Sequence, residues 1–362
     1  MKTTTRIADE LAVPVALRPF AEVHLSGPRP IAKVAELLAI PGLIAHIDVR
    51  EIVACAVALR TAAPHDRLVW TLTAGVLDRR VPNWHWDMVS DKRRNEVYEV
   101  AAQALIEPGM TVLEIGTGTG ILAMIAARAE AKHVYTIEMN PRMAYVARAS
   151  IAKNGYADRI TVIESDALNV SVGDQLPHRA DAIIHEIIST NVVSENVLEL
   201  IGHAKEALLV PDPLLLPDEV WAMGQLGARE PQYPLSDVSG FDLNALDLME
   251  ATARHVKSLR PDQILGPPAR LFGIDLNAEP PNLSQSCRVT LAADTSGTLT
   301  GVAQWPSFRF PDGTVFDGSE HSSCWGRLYH ALHPTLDVEV GQEVSLQVDQ
   351  LPSALAISHA AG

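Results

Sequence analysis

The sequence predicts an α/β protein in which a parallel sheet follows a small helical domain and precedes a unit of antiparallel strands. From Met110, the apolar runs TVLEIG, HVYTIEM, ITVIES and ADAIIHEII alternate with amphipathic segments, as in strand-helix-strand units. After Pro211 the pattern changes to Pro-rich segments and shorter alternating runs such as CRVTLAA, GVAQWPSFRF, CWGRLYHAL and EVSLQV, which indicate antiparallel strands. Before the sheet, residues 28–78 carry apolar positions at helical spacing.

These patterns divide the chain into three parts. A length of 362 residues is too long for one ordinary hydrophobic core. We predict a helical domain over 1–80, a Rossmann-like domain over 81–212 and a β-barrel domain over 213–362. Within the last, GFDLNALDLMEATARHVKSLR has apolar residues at helical spacing and predicts a helical insertion near 240–260.

Composition narrows the possible partners. The 29 Lys and Arg against 44 Asp and Glu give a net charge of -15, which repels nucleic acid and favours a cationic partner. The same excess is equally consistent with keeping a cytoplasmic protein soluble. Cys55, Cys287 and Cys324 are widely spaced, so we expect reduced thiols and no metal site. The apolar runs are too short to span a membrane, and we expect a cytoplasmic protein.

A glycine-rich turn follows the first predicted strand, in VLEIGTGTGIL. Alternating glycines let the backbone turn tightly and approach a ligand. A dinucleotide site instead has the spacing G-x-G-x-x-G, so this turn favours S-adenosylmethionine over NAD. Glu114 suits a cationic amino-acid head group or the ordering of the loop around one. The residues assigned to the cofactor here are Glu114, Gly116, Thr117, Gly118, Gly120, Ile121 and Leu122.

Acidic residues at the ends of the next two strands extend this site. Glu138 ends the second strand, where a carboxylate can accept both ribose hydroxyls, and Met139 follows it. Asp166 and Ala167 follow the third strand, at the expected position of the adenine. One acid at a strand end is usually a surface charge or a helix cap. On successive strands, however, these residues favour a methyltransferase over other nucleotide-binding enzymes.

Two glutamates lie at the end of the fourth strand. Glu186 and Glu195 are nine positions apart across the mostly uncharged loop IISTNVVS. Two carboxylates can hold a planar guanidinium by bidentate hydrogen bonds and orient one nitrogen toward a methyl donor. The alternative, that Glu195 only begins the next helix, has equal weight from spacing alone.

These segments together resemble the protein arginine N-methyltransferase family of class I S-adenosylmethionine-dependent methyltransferases. HWDMVSDKRRN is similar to the family's cofactor-covering helix, and HEIISTNVVSEN to its double-glutamate loop. The resemblance implies that Arg94 binds the methionine carboxylate, that His85 lies beside the cofactor, and that Met88 packs against the reacting methyl. SSCWGRLYHAL resembles the barrel loop that carries Thr-His-Trp in many members. This resemblance implies that Trp325 forms one wall of the arginine pocket.

The resemblance also implies a fold and an assembly. The fold is a Rossmann-like class I methyltransferase domain followed by a β-barrel with a helical dimerisation arm, which implies a homodimer. One departure is Cys324, which stands where a histidine is usual and removes a possible hydrogen-bonding partner of a carboxylate. The N-terminal helices have no counterpart in the family pattern.

The leading hypothesis is therefore an arginine N-methyltransferase that uses Glu186 and Glu195 as catalytic residues and releases S-adenosyl-L-homocysteine. The Ala-rich composition suggests a bacterial source and favours free L-arginine, in specialised metabolism, over an arginine-containing peptide. Two alternatives remain: a scaffold subunit that binds the cofactor without turnover, and a methyltransferase for another guanidine or amidine.

Overall fold

The computed structural model describes residues 2–77, 81–229, 235–249, 253–278, 284–319 and 323–360. Helices come first, a parallel sheet with its helices follows, and antiparallel sheets complete the chain. This is the predicted order of the three parts. None of the helices in these ranges combines the length and apolarity needed to cross a bilayer.

The N-terminal helices form a domain with its own hydrophobic core. Val34, Leu38, Cys55 and Leu59 are among the side chains buried between the helices, so the helical periodicity of residues 28–78 is confirmed. The helices are α1 (Lys2–Glu10), α2 (Arg18–Leu25), α3 (Pro30–Leu38), α4 (Pro41–Ile44), α5 (Val49–Ala62) and α6 (Arg67–Leu77).

One ion pair and one hydrogen bond join this domain to the parallel sheet and its helices. Arg50 of α5 donates to Glu164 at 2.7 Å, and Arg148 donates to the other oxygen of Glu164 at 2.9 Å. Arg142 donates to the carbonyl of Val76 at 2.7 Å. The helical domain is therefore attached beside the end of the third strand of the sheet.

The parallel sheet contains the four predicted strands and one more, in the order β3-β2-β1-β4-β5. The central strand β1 is buried along its whole length, as expected for a strand covered by helices on both faces. The strands are β1 (Thr111–Ile115), β2 (His133–Glu138), β3 (Ile160–Glu164), β4 (Ala180–His185) and β5 (Leu209–Leu216). The helices are α7 (Trp84–Ser90), α8 (Lys92–Leu105), α9 (Ile121–Arg128), α10 (Pro141–Lys153) and α11 (Val197–His203).

Strand β5 runs across the boundary predicted after residue 212. Leu214, Leu215 and Leu216 pair with β4, so the parallel sheet extends to Leu216 before the chain enters the barrel. A six-stranded sheet, in the order β7-β12-β10-β6-β8 with β11 beside β10, and a three-stranded sheet, β14-β13-β9, follow. Their strands are β6 (Glu219–Gly227), β7 (Ala253–Val256), β8 (Ala269–Asp275), β9 (Gln285–Ala292), β10 (Gly297–Arg309), β11 (Val315–Asp317), β12 (Arg327–Val338), β13 (Glu343–Gln350) and β14 (Leu355–His359).

The helical insertion predicted near 240–260 differs from the structure. Only a short 3₁₀ helix, Asn244–Met249, is present in the described part of this range. Residues 250–252 lie outside the described residues, and the helix prediction is wrong at Ala253–Val256, which form β7. Arg254 pairs with Tyr329 of β12, and this long-range pairing overrides the helical spacing of the local sequence.

The order of the strands determines where a ligand can bind. Strand β1 lies between β2 and β4, so the connections from β1 to β2 and from β3 to β4 diverge at its carboxyl end. Such a switch point leaves a crevice at the carboxyl edge of an open parallel sheet. The glycine-rich turn after β1 and the double-glutamate loop after β4 both lie at this edge.

Candidate active site

A cavity of about 1030 Å³ lies between the carboxyl edge of the parallel sheet and the barrel. The glycine-rich turn, α7, the double-glutamate loop, β7 and β12 all contribute to its walls. The structure brings most of the predicted site residues together around this space. Those that line it are His85, Met88, Gly116, Gly118, Glu138, Met139, Asp166, Ala167, Glu186, Glu195 and Trp325.

The other predicted cofactor residues are outside the lining. Thr117, Gly120, Ile121 and Leu122 belong to the turn and the start of α9, and Arg94 and Glu114 lie behind the cavity wall. Glu114 is fully buried and accepts a hydrogen bond from the hydroxyl of Thr136. Burial raises the pKa of Glu114 to about 8, although the hydroxyl of Thr136 lowers it. Of the two roles considered for Glu114, this location favours ordering of the loop, and direct cofactor contacts by these residues remain predictions.

Backbone hydrogen bonds shape the glycine-rich turn. The N–H groups of Gly116 and Thr117 both donate to the carbonyl of Ile137, at 3.0 and 3.1 Å. Gly116 has a φ of 83°, and a Cβ there would lie 3.2 Å from the side chain of Ile187. A residue with a side chain would therefore be strained and crowded at this position.

Glu138 connects the turn to the end of β2. One of its carboxylate oxygens accepts from the N–H of Gly118 at 2.9 Å, and the other accepts from the N–H of Asn140 at 2.7 Å. Burial raises the pKa of Glu138, and these two hydrogen bonds oppose the rise. The carboxylate is thus fixed at the cavity wall, and its hydrogen bonds to a ribose stay a prediction.

Helix α7 covers the same end of the cavity. Nδ1 of His85 lies 3.0 Å from the carbonyl of Pro82, and its ring stacks on Trp84 with a centroid separation of 3.9 Å. An added Cβ on Gly118 would lie 4.0 Å from the His85 ring, so His85 borders the glycine-rich turn. The position of His85 beside the cofactor stays a prediction.

Arg94 and Glu186 form a buried ion pair. Nη2 of Arg94 donates to Oε2 of Glu186 at 2.8 Å, and the two side chains are only 1% and 4% exposed. Nη1 of Arg94 donates to Asn95 at 2.8 Å. The structure therefore places the guanidinium of Arg94 against Glu186, and the predicted contact of Arg94 with the methionine carboxylate stays a prediction.

The two glutamates of the loop influence each other electrostatically. Burial raises the pKa of Glu186 to about 7, Arg94 lowers it, and the charge of Glu195 raises it. Glu195 is solvent-exposed within the cavity, yet the surrounding protein displaces enough water to raise its pKa as well. Both carboxylates face the same space, as binding of a single guanidinium requires.

We expect kcat/KM for an arginine acceptor, at saturating cofactor, to fall about tenfold per pH unit below pH 7 and to level off above it. Burial raises the pKa of Glu186 to about 7, and its protonated form lacks the charge that binds a guanidinium. Because the pKa is raised, the active ionised form is gained as pH rises. Rates measured from pH 5.5 to 8.5 test this, and a flat profile would contradict it.

The double-glutamate loop is held by its own polar side chains. The side-chain oxygen of Asn191 accepts from the N–H groups of Val193 and Ser194, at 3.1 and 2.8 Å. The hydroxyl of Ser189 donates to the same oxygen at 2.7 Å. Helix α11 begins only at Val197, so Glu195 belongs to this ordered loop, and its side chain lines the cavity.

The barrel loop at Cys324 closes the opposite wall. One oxygen of the Asp91 carboxylate accepts from the N–H of Arg94 at 2.9 Å, at the start of α8. The other oxygen accepts from the backbone N–H of Cys324 at 2.9 Å. The contact between the carboxylate and this loop therefore includes a backbone hydrogen bond, which forms without the histidine usual at position 324. Trp325 follows and lines the cavity.

Sequence reasoning missed three residues that organise the site. Asp91 could have been found, because an Asp three positions before the Arg94 amide that it caps is a helix-start signal. Tyr98 donates its hydroxyl to the carbonyl of His185 at 2.8 Å. Gln304 donates to the carbonyl of Thr190 at 2.6 Å. The last two contacts join distant segments, and no local pattern indicates them.

Comparisons with known proteins agree with this site. A family model described as ribosomal protein L11 methyltransferase (PrmA) matches residues 100–213. The arginine N(omega)-methyltransferase of Streptomyces achromogenes subsp. streptozoticus is 30% identical over 293 residues, covering 79% of this chain and 81% of that protein. Protein arginine N-methyltransferase 7 of Danio rerio is 25% identical over 300 residues, but the match covers only 44% of that protein.

Solved structures show the same fold. The Trypanosoma brucei PRMT1 enzyme-prozyme complex with AdoHcy matches with a TM-score of 0.68 at 23% identity, covering 76% of this chain and 91% of that chain. Arabidopsis thaliana protein arginine methyltransferase 10 matches with a TM-score of 0.60 at 23% identity, covering 73% of this chain and 86% of that chain. The fold and the cofactor site thus define a class I S-adenosylmethionine-dependent methyltransferase. With the relative from Streptomyces, they place the chain in the arginine N-methyltransferase family, to which it belongs.

Proposed function

We propose that this enzyme transfers a methyl group to a guanidino nitrogen of free L-arginine. The observation that carries the proposal is the convergence of Glu186 and Glu195 on one cavity, shared with the glycine-rich turn and Glu138. Bound S-adenosylmethionine supplies an electrophilic methyl group: a guanidino nitrogen forms the new C–N bond as the C–S bond breaks, which leaves S-adenosyl-L-homocysteine.

The glutamates orient the acceptor and manage its charge. The carboxylate oxygens of Glu186 and Glu195 accept hydrogen bonds from the N–H groups of the guanidinium and direct one nitrogen toward the methyl group. Arg94 supplies a positive charge that lowers the pKa of Glu186 and so opposes the effect of its burial. Glu195 reaches solvent, and its pKa is raised. It is therefore suited to take the proton that the nitrogen loses and to pass it to water.

The outer part of the cavity favours a free amino acid. Glu199 of α11 and His255 of β7 both line the cavity with exposed side chains. A carboxylate and an imidazole are suitable partners for the α-ammonium and α-carboxylate groups of L-arginine, whereas a peptide bond removes both charges. The relative matched over most of its length is also named for arginine and not for a protein substrate.

We expect kcat/KM for L-arginine to exceed that for an Arg-Gly peptide more than tenfold. Mass spectrometry after incubation with methyl-labelled S-adenosylmethionine would identify the product and the methylated nitrogen. Agmatine, which lacks the carboxylate, and Nα-acetyl-L-arginine, which lacks the ammonium group, separate the two charges. Labelling of the peptide alone would overturn the choice of substrate, while no methylated product with any guanidine would favour the scaffold alternative.

We also propose that the enzyme works as a homodimer in the cytoplasm. The segment at the 3₁₀ helix Asn244–Met249 exposes the apolar side chains of Phe241, Leu243 and Leu246. Exposed apolar residues grouped in this way commonly mark a protein contact, and the family resemblance assigns dimerisation to this segment. The mass of the protein in solution tests the proposal.

A further inference from the structure

Gln304 joins the barrel to the double-glutamate loop. It lies on β10, is 0% exposed, and its Nε2 donates to the carbonyl of Thr190 at 2.6 Å. Thr190 lies between Glu186 and Glu195 in the sequence. This bond therefore acts on the middle of the segment whose two ends carry the substrate-binding carboxylates.

The neighbouring barrel loop makes two further bonds to the same segment. The indole N–H of Trp325 donates to the carbonyl of Ile188, and the hydroxyl of Thr190 donates to the carbonyl of Trp325 at 2.9 Å. The backbone of the double-glutamate loop is thus attached to the barrel at Ile188 and Thr190. Gln304 is the member of this group that lies outside the cavity lining.

The loop contains a strained residue next to these attachments. Val192 has a φ of 75°, a conformation that a β-branched residue rarely adopts and that costs on the order of 1–3 kcal/mol. Such strain persists only when surrounding contacts hold the backbone in place. Loss of an attachment at Thr190 would let the loop relax and would move the carboxylates apart.

The amide of Gln304 is also unusual in its own environment. Its Oε1 is buried and has no hydrogen-bond partner among the described residues. A buried amide with only one of its two polar atoms hydrogen-bonded contributes little net stability. The stability of the barrel therefore does not explain why an amide is present at this position. The one strong contact that it makes is the bond to Thr190.

We propose that Gln304 is a positioning residue, which holds the double-glutamate loop so that Glu186 and Glu195 bind the acceptor together. It touches neither cofactor nor substrate and acts through the carbonyl of Thr190. This inference rests on the proposed methyl transfer to a guanidine. Gln304 would thus be a residue of the barrel that affects the rate of methyl transfer without contacting the substrate.

The test compares Gln304→Leu with Gln225→Leu. Gln225 is also buried in the barrel, at 9% exposure, where it pairs with Ala303 beside Gln304. Its Nε2 donates to the carbonyl of Gly266 at 3.0 Å, outside the double-glutamate loop. We expect Q304L to lower kcat about 10-fold to 30-fold and to change the cofactor Kd less than twofold. Q225L should keep kcat within twofold of the unmodified enzyme. Its Tm should decrease by about as much as the Tm of Q304L.

A second readout separates positioning from stability. Moving the loop would let water reach Glu186 and separate it from Glu195, so Q304L should lower the midpoint of the pH profile of kcat/KM by about half a pH unit, whereas Q225L should not. If Q304L is insoluble, Gln304→Met removes the amide donor at nearly constant side-chain length and should still lower kcat severalfold.

Three results would overturn the assignment of Gln304: an unchanged kcat in Q304L, an equal loss in Q225L, or, where Q304M replaces Q304L, an unchanged kcat in Q304M. An inactive unmodified enzyme would instead refute the proposed function. The two failures are therefore distinguishable.

Discussion

Replacement of Glu186 by Gln is expected to lower kcat for arginine methylation by about 10³-fold. The carboxylate lines the cavity and pairs with Arg94 at 2.8 Å, and an amide cannot supply the charge that binds and polarises a guanidinium. Loss of one preorganised charged group at a reacting centre commonly costs 10²-fold to 10³-fold in rate. Initial rates with labelled cofactor measure kcat, and equilibrium titration measures the cofactor Kd, which should change only a few-fold.

Two companion variants make this result interpretable. Glu195→Gln removes the second carboxylate from an exposed position, so it should be stable and should lower kcat at least 100-fold. Glu107→Gln alters an exposed acid outside the cavity and should leave kcat unchanged. Removal of one partner of a buried ion pair can destabilise a protein by about 3–5 kcal/mol, so Tm is measured for each variant. A folded E186Q enzyme with more than a tenth of the normal kcat would contradict the two-carboxylate mechanism.

Replacement of Glu138 by Ala is expected to raise the Kd of S-adenosylmethionine about 100-fold or more. The carboxylate lies at the cavity wall and also accepts hydrogen bonds from the N–H groups of Gly118 and Asn140. Its loss would remove the predicted hydrogen bonds to the ribose and would loosen the turn. Charge-assisted hydrogen bonds contribute about 1.5–3 kcal/mol each, and about 2.8 kcal/mol corresponds to 100-fold in affinity.

Calorimetric titration of the cofactor measures this effect. Glu138→Gln keeps the size of the side chain and should weaken binding less than E138A, while Glu107→Ala should bind normally. At saturating cofactor, KM for arginine should stay within a few-fold, because the acceptor binds to other carboxylates. A normal cofactor Kd in folded E138A would show that the ribose lies elsewhere.

The parallel sheet and the ligand-binding residues at its edge were predictable because the sequence patterns that indicate them are local. Strand β1, the glycine-rich turn and Glu138 follow one another within about one strand-helix-strand unit, and the alternating pattern fixes their order. The carboxyl ends of parallel strands meet at one edge, so residues distant in sequence could be assigned to one site. Glu186 and Glu195 were found in the same way.

Contacts between segments distant in sequence were not predictable from the local pattern. The short segment Ala253–Val256 has helical spacing but becomes a strand because β12 offers hydrogen-bonding partners. Gln304 lies between the apolar residues Ala303 and Trp305 of β10, and nothing in the neighbouring sequence indicates a bond to Thr190. The pairing of Arg94 with Glu186 joins a helix to a loop almost a hundred positions away, and sequence assigned each residue to a different ligand.

The backbone contact made by Asp91 has a consequence for how the pocket can diversify. Because the carboxylate binds the amide of residue 324 and the first turn of α8 together, one hydrogen bond that attaches the barrel loop to α8 does not involve the side chain at that position. Substitutions at 324 can alter the size and polarity of the acceptor wall while the loop stays attached. At residue 324 the backbone N–H thus helps to assemble the site, while the side chain can change the acceptor preference.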